Sequence, residues 1–332
     1  MTSTTPLRAS IEDPLWVPVL THYTPDGGID APRMRAHLAS LAPHVRQIML
    51  AGSTGDGWEL DDARFDALID LAEGEFPDGA AILFGVLRPT TEAVVARLRH
   101  LEARLAASPA LRSRFRGAVL CPPVEPEAGQ PRIIEHFEAA LAASTCPVAV
   151  YQLPQVTGCR ISPETMVHLA GSDRVTMFKD SSGEDRIAGA ADYAGVVLVR
   201  GAEGGYAEAL QPEGAYHGWL LSTGNALAAP LKRIWELGQG GEKDAARALS
   251  DQVSAVVSTV FAAAASEGGA NAFSNANRAM DHLRAWGSAW KSAPAALKVD
   301  GSPLSEALLD KVADQAGALL EIGETGYLSR NA

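Results

Sequence analysis

Lys179 stands at the end of a short apolar run, Val175 to Phe178, and is followed at once by Asp180, Ser181, Ser182 and Gly183. An ammonium desolvated at such a lip loses part of its preference for the charged form, so its pKa falls. A neutral amine can attack a ketone, and the resulting iminium draws electrons from the neighbouring carbon. Tyr151 closes the preceding run, "CPVAVYQL" (146–153), where its phenol can pass protons to and from an imine or enamine. The loop "AGSTGDG" (51–57) offers Ser53 and Thr54 hydroxyls and amide N–H groups in a glycine-permitted turn, a nest suited to a carboxylate or phosphate. Each feature alone also fits a plainer role: a lysine snorkelling out of a strand end, a core tyrosine, an ordinary capped turn.

The elements that must position these groups are legible in the hydropathy pattern. Eight apolar runs occupy 16–20, 47–52, 80–86, 117–123, 146–153, 175–179, 195–202 and 214–222. They do not alternate polar with apolar, which is how strands buried on both faces of a parallel sheet read. Helical segments separate them. "IDAPRMRAHLASLAPH" has Asp30 as N-cap with Pro32 in the first turn, and "SPETMVHLAG" opens on Ser162–Pro163 and stops at Gly171. Asp180, Ser181, Ser182 and Gly183 after Lys179 predict a tight loop and a further helix start. Eight repeated units favour an α/β fold, a closed (β/α)8 TIM barrel, over an open doubly wound sheet. The expected organisation is a tail at 1–13, the barrel at 14–229 and a C-terminal helical extension at 230–332, packed beside the barrel. That extension carries three helix candidates, beginning with the Ala-rich "EKDAARALSDQVSAVVSTVFAAAASEGG".

Composition narrows the function classes. Of 332 residues 47% are hydrophobic and 20% charged, and the formal net charge is −12. That acidity argues against nucleic acid or anionic membrane as partner. No apolar run reaches the roughly 20 residues of a membrane span, and "MTSTTPLRASIEDP" lacks the apolar core of a signal peptide. The three cysteines form no C-x-x-C spacing, and the eight histidines form no H-E-x-x-H. A cytoplasmic protein without a metal is expected.

The motifs together resemble the dihydrodipicolinate synthase and N-acetylneuraminate lyase family of Schiff-base lyases. That family shows G-[ST]-T-G-E after strand two, Y-N-x-P at strand five and K-D-S-[ST]-G at strand six. Here those read Gly52-Ser53-Thr54-Gly55-Asp56, Tyr151-Gln152-Leu153-Pro154 and Lys179-Asp180-Ser181-Ser182-Gly183. The match continues in "TPDGGID" (24–30), "TGCRISPETM" (157–166), "GAYHGWLLSTGN" (214–225) and "NANRAMDHLRAWG" (275–287), the last where the family carries N-P-x-x-x-K. The resemblance implies that Lys179 forms the Schiff base with a 2-oxo acid, usually pyruvate. Tyr151 would be the proton-relay phenol, Ser53 the relay hydroxyl, and Thr54 with its backbone the holder of the keto acid's carboxylate. Gly52, Gly201 and Ser222 would line the substrate pocket. It also implies no separate cofactor, a small-molecule aldehyde or sugar-acid co-substrate, and a homo-oligomer, dimer or tetramer.

Departures from the pattern bear on the second substrate. The arginine that follows Y-N-x-P in true dihydrodipicolinate synthases is replaced by Val156. An apolar side chain cannot stand in for a bidentate guanidinium. The aromatic pair after strand four is absent, since "LCPPVEPEAG" offers Pro123 and Val124, while Asp56 for Glu and Gln152 for Asn are milder changes. Arg88 and His22, both placed by the pattern at strand ends, are candidates to bind an anion and to act as acid or base. The expected function is a Schiff-base lyase or aldolase acting on a 2-oxo acid, not lysine biosynthesis. The alternatives are a dehydratase or hydratase-aldolase of the same family on a sugar acid or aromatic keto acid, and a non-catalytic keto-acid-binding barrel.

Overall fold

The computed structural model describes residues 13–74, 76–193, 195–320 and 322–329. Nearly all of the expected tail at 1–13 therefore lies outside the described residues.

Eight short strands close a parallel barrel in the order β1 to β8: Leu15–Pro18, Gln47–Leu50, Ala81–Gly85, Phe115–Leu120, Val148–Gln152, Val175–Asp180, Val197–Arg200 and Gly218–Leu220. The last strand pairs back onto the first through Leu15 with Trp219 and Trp16 with Leu220. The unbroken apolar runs follow from burial on both faces. Trp16, Met49, Leu83, Val119, Ala149, Met177, Val199 and Leu220 fill the inside of the barrel. Their neighbours Val17, Ile48, Phe84, Leu120, Val150, Phe178 and Leu198 turn outward onto the helices. A residue in phase with Met177 therefore points inward, and Lys179 is in that phase.

The helices are α1 (Ala31–Leu41), α2 (Asp62–Glu73), α3 (Thr91–Ala107), α4 (Pro109–Arg114), α5 (Gln130–Ala143) and α6 (Pro154–Thr157). They continue with α7 (Pro163–Ala170), α8 (Tyr206–Ala209), α9 (Gly224–Gln239), α10 (Lys243–Ala264), α11 (Ala272–Trp286) and α12 (Glu306–Leu320). The caps act as their residue types require: the Asp30 carboxylate accepts the Arg33 N–H at 3.0 Å and the Ser162 hydroxyl accepts the Thr165 N–H at 3.2 Å.

Two expectations need correction. The segment after β6 forms turns among its described residues, where a helix start was expected. Local side-chain bonds take the place of helical ones: Asp180 accepts the Ser182 N–H at 2.9 Å, and the Ser182 hydroxyl accepts the Glu184 N–H at 3.1 Å. The division between residues 229 and 230 falls inside α9, which runs on through Pro230 with its irregularity at Leu227. The C-terminal helices pack on the barrel and reach its mouth. Asn271 and Ser274 of α11 and its cap bond the carbonyls of Ser53 and Thr54, so this segment clamps the loop after β2.

Candidate active site

The C-terminal mouth of the barrel opens into a cavity of about 610 Å³. Lys179, Tyr151, Ser53, Thr54, Gly201 and Ser222 all line it. Register explains the central pair, because Tyr151 lies directly opposite Lys179 on adjacent parallel strands and both side chains point inward. The Lys179 Nζ sits 4.0 Å from the centre of the Tyr151 ring. Lys179 is 4% exposed, and burial pushes its ammonium down to about 7 against the opposing pull of Cys121 and Glu203. The Cys121 thiol is itself pushed up by burial beyond any physiological range, so it is neutral and Glu203 is the anion that matters. Tyr151 is likewise raised by burial, while hydrogen bonds with the Ser181 and Ser53 hydroxyls pull it back. At neutral pH the site thus holds a partly neutral amine beside a fully protonated phenol.

Gly201 has a specific reason to be glycine. A Cβ there would collide with the Ser181 hydroxyl and lie 2.6 Å from Lys179 Cε. The residue after β7 is bare so that the lysine can pass. Its N–H is fixed by a 2.7 Å bond to the Asp180 carbonyl.

The loop after β2 is a single 3₁₀ turn, Ser53–Gly55. Gly55 N–H closes on the Gly52 carbonyl at 3.0 Å, which leaves the Ser53 and Thr54 N–H groups at the open end of the turn. Asp56 follows in the left-handed region at φ 58° and is fully buried. Its carboxylate accepts from Tyr23 and Arg278, each at 2.8 Å, while Arg278 also donates to the Thr21 carbonyl at 2.7 Å. This ion pair ties the loop to α11. Gln152 does a comparable task at the end of β5. Its side-chain oxygen accepts the Ile161 N–H at 2.8 Å and its amide donates to Asp180 at 3.3 Å.

Three of the candidate residues are held elsewhere. Arg88 does not line this cavity. It donates to the Trp58 carbonyl at 3.3 Å and the Leu60 carbonyl at 2.5 Å and faces Asp62 at 3.8 Å, an anchoring role. His22 is 2% exposed and turned toward α1, where its Nε2 lies 3.1 Å from His37 Nδ1 and 3.6 Å from Asp281. Burial, with Arg33 nearby, holds its ring well below the usual imidazole range, and its contacts lie with His37 and Asp281, away from the cavity. Gly52 is packed under the loop against Met49 and Pro18 and shapes the turn through its carbonyl.

Other lining residues carried no motif. The Trp58 indole donates to Ser53 Oγ at 3.0 Å. An indole N–H only donates, so it orients Ser53 without passing a proton. Glu203 reaches the cavity from the loop after β7 and is held by Ser222 Oγ at 2.7 Å, Thr223 Oγ1 at 2.6 Å and Tyr206 at 3.0 Å. Phe261, Asn271 and Phe273 arrive from the C-terminal helices. Only the folded chain brings residues 261–273 over residues 53–58, so no local pattern announced them.

A closed parallel barrel whose sixth strand ends in a buried, neutralisable lysine beside the phenol of strand five is the architecture of a Schiff-base-forming aldolase. The family model described as the dihydrodipicolinate synthetase family matches residues 13–273. The chain belongs to that family, whose members are class I carbon–carbon lyases. A 4-hydroxy-tetrahydrodipicolinate synthase of Xanthomonas axonopodis pv. citri is 29% identical over 238 residues, covering 70% of this chain and 75% of that protein. The corresponding protein of Xanthomonas campestris is 30% identical over 239 residues, with the same coverage. Among solved structures, YagE, a prophage protein from E. coli K12 in complex with pyruvate, matches with a TM-score of 0.76 at 18% identity, covering 93% of this chain and 98% of that one. The KD(P)GA of T. tenax matches with a TM-score of 0.73 at 17% identity, covering 92% and 99%. These structural likenesses show the fold. No helix among the described residues is long and apolar enough to cross a membrane.

Proposed function

We propose that this lyase cleaves or forms the C3–C4 bond of a 4-hydroxy-2-oxo acid, with pyruvate as the three-carbon partner. The carrying observation is Lys179: buried, lowered to about 7, and 4.0 Å over the Tyr151 ring inside the cavity. The Lys179 amine adds to the C2 carbonyl, and the carbinolamine loses water to give an iminium, with Tyr151 supplying the proton to the departing hydroxyl. Breaking the C3–C4 bond sends its electron pair into a C2–C3 enamine as the C4 hydroxyl gives up its proton and leaves as an aldehyde. Protonation at C3 and hydrolysis of the imine then release pyruvate and free the lysine.

Thr54 and the open N–H groups of the Ser53–Gly55 turn are proposed to hold the 2-oxo acid's carboxylate, and Ser53 to relay protons with Tyr151. YagE, a barrel of the same fold, was crystallised with pyruvate, which supports the choice of partner. The departure at Val156 speaks against a dihydrodipicolinate synthase proper, although the named relatives carry that activity. Dehydration through the same iminium is the nearest variant of the chemistry. The proposal includes assembly into dimers or tetramers, carried by the resemblance, and a cytoplasmic location, carried by three cysteines without a disulfide or zinc spacing. Lys179→Met should abolish pyruvate release from 4-hydroxy-2-oxo acids while the circular dichroism stays native. Undiminished release by that variant contradicts the reading.

A further inference from the structure

The outer half of the cavity differs in character from the imine site. Four large apolar side chains of the described residues are markedly exposed, and three of them, Val124, Val156 and Phe273, line this one mouth. Phe261 packs edge-on against Phe273 with ring centres 5.2 Å apart, and Trp58 closes the wall by the relay hydroxyl. Solvent contact with so much apolar surface is costly unless a ligand covers it.

The charges point the same way. Among the described residues Lys179 is the single cation lining the cavity, and imine formation uses it. The lining carboxylates are Glu203 and Glu59. Arg88, the candidate that the sequence offered for binding an anion, is committed to backbone carbonyls and Asp62. A second carboxylate or a phosphate on the incoming aldehyde would meet two acids and no guanidinium.

We infer that the aldehyde partner carries no anionic group and presents an apolar, preferably aromatic, substituent to the Val124–Val156–Phe261–Phe273 wall. This rests on the Schiff-base reading above. In atoms, the substrate is R–CH(OH)–CH2–CO–COO⁻ with R aryl or alkyl, and cleavage yields R–CHO and pyruvate with nothing else consumed. A cavity of about 610 Å³ has room for pyruvate and a single ring together.

The test measures condensation with pyruvate for benzaldehyde, hexanal, glyceraldehyde, succinic semialdehyde and glyceraldehyde 3-phosphate, alongside borohydride trapping of pyruvate alone. The inference expects kcat/KM for benzaldehyde to exceed that for both anionic aldehydes by at least about 100-fold, the scale of a lost charge partner. Val156→Arg should reverse the order, lowering benzaldehyde turnover about tenfold or more and raising that of succinic semialdehyde. Trapping of pyruvate together with a preference for an anionic or polyhydroxy aldehyde, or with no turnover of either apolar aldehyde, overturns the inference and leaves the Schiff base standing. Failure to trap pyruvate overturns both.

Discussion

Replacing Gly201 by Ala tests whether the position of Lys179 governs the rate. The backbone at Gly201 lies outside the left-handed region, so alanine meets no dihedral strain there. The new methyl would lie 2.6 Å from Lys179 Cε, 3.2 Å from its Cγ, and in collision with the Ser181 hydroxyl. Carbon atoms in ordinary contact stay about 3.5–4.0 Å apart, so Cε must retreat by about 1 Å. A displacement of that size at a reacting group costs on the order of 100-fold in rate. Overpacking itself costs about 1–3 kcal/mol of stability, a lowering of Tm by a few degrees. Gly241→Ala supplies the comparison, since Gly241 has φ +82° and nothing within 4 Å of a new Cβ. It should lose about 1 kcal/mol through backbone strain and keep its rate. Steady-state pyruvate release and thermal unfolding, measured on both variants, separate the two effects. A Gly201→Ala protein with unchanged kcat, or two variants that lose activity equally, would refute the placement of Lys179.

Other expectations follow from the same geometry. Because the reactive form of Lys179 is the neutral amine, imine formation with pyruvate should rise about tenfold per pH unit below about 7 and level off above it. A profile still rising toward pH 10 would mean an unperturbed lysine. Tyr151→Phe should lower kcat by about 10²–10⁴-fold with little change in Tm; a loss below tenfold excludes the phenol as the proton carrier. Lys179→Met should stabilise the fold by a few kcal/mol at and below pH 7, because the folded protein there holds a desolvated ammonium. Since the folded pKa lies below the unfolded one, that gain should shrink as pH rises from about 7 toward the unfolded value of 10.5, which urea titrations at several pH values can follow. Arg278→Met leaves the Asp56 carboxylate buried without its cationic partner, with only the Tyr23 hydroxyl of the pair still donating, and should cost about 3–5 kcal/mol. A neutral result in chemical denaturation would show that α11 does not hold the loop through this pair.

The barrel was legible because its physics is local and repetitive. Eight strands buried on both faces leave eight unbroken apolar runs, and the inner and outer residues of β6, Met177 and Phe178, obey the same two-residue phase that aims Lys179 inward. The lysine, phenol and hydroxyl loop were legible too, since each belongs to a strand end and the topology brings strand ends together. What stayed hidden depended on tertiary context. His22 and Arg88 sit at the ends their strands assign, yet hydrogen bonds to His37 and to the Trp58 and Leu60 carbonyls turn them from the cavity. The DSSG stretch carries helix-cap residue types, but the Asp180 and Ser182 side chains spend that capacity on turns. Phe261 and Phe273 read as helix residues in an appendix, and only the fold shows them as a wall of the site.

Trapping the imine tests the central claim most directly. Protein incubated with pyruvate and reduced with borohydride should gain the mass of pyruvate less one water plus two hydrogens, on the peptide that contains Lys179 and once per chain. Absence of that adduct, or its appearance on a different lysine, contradicts the account.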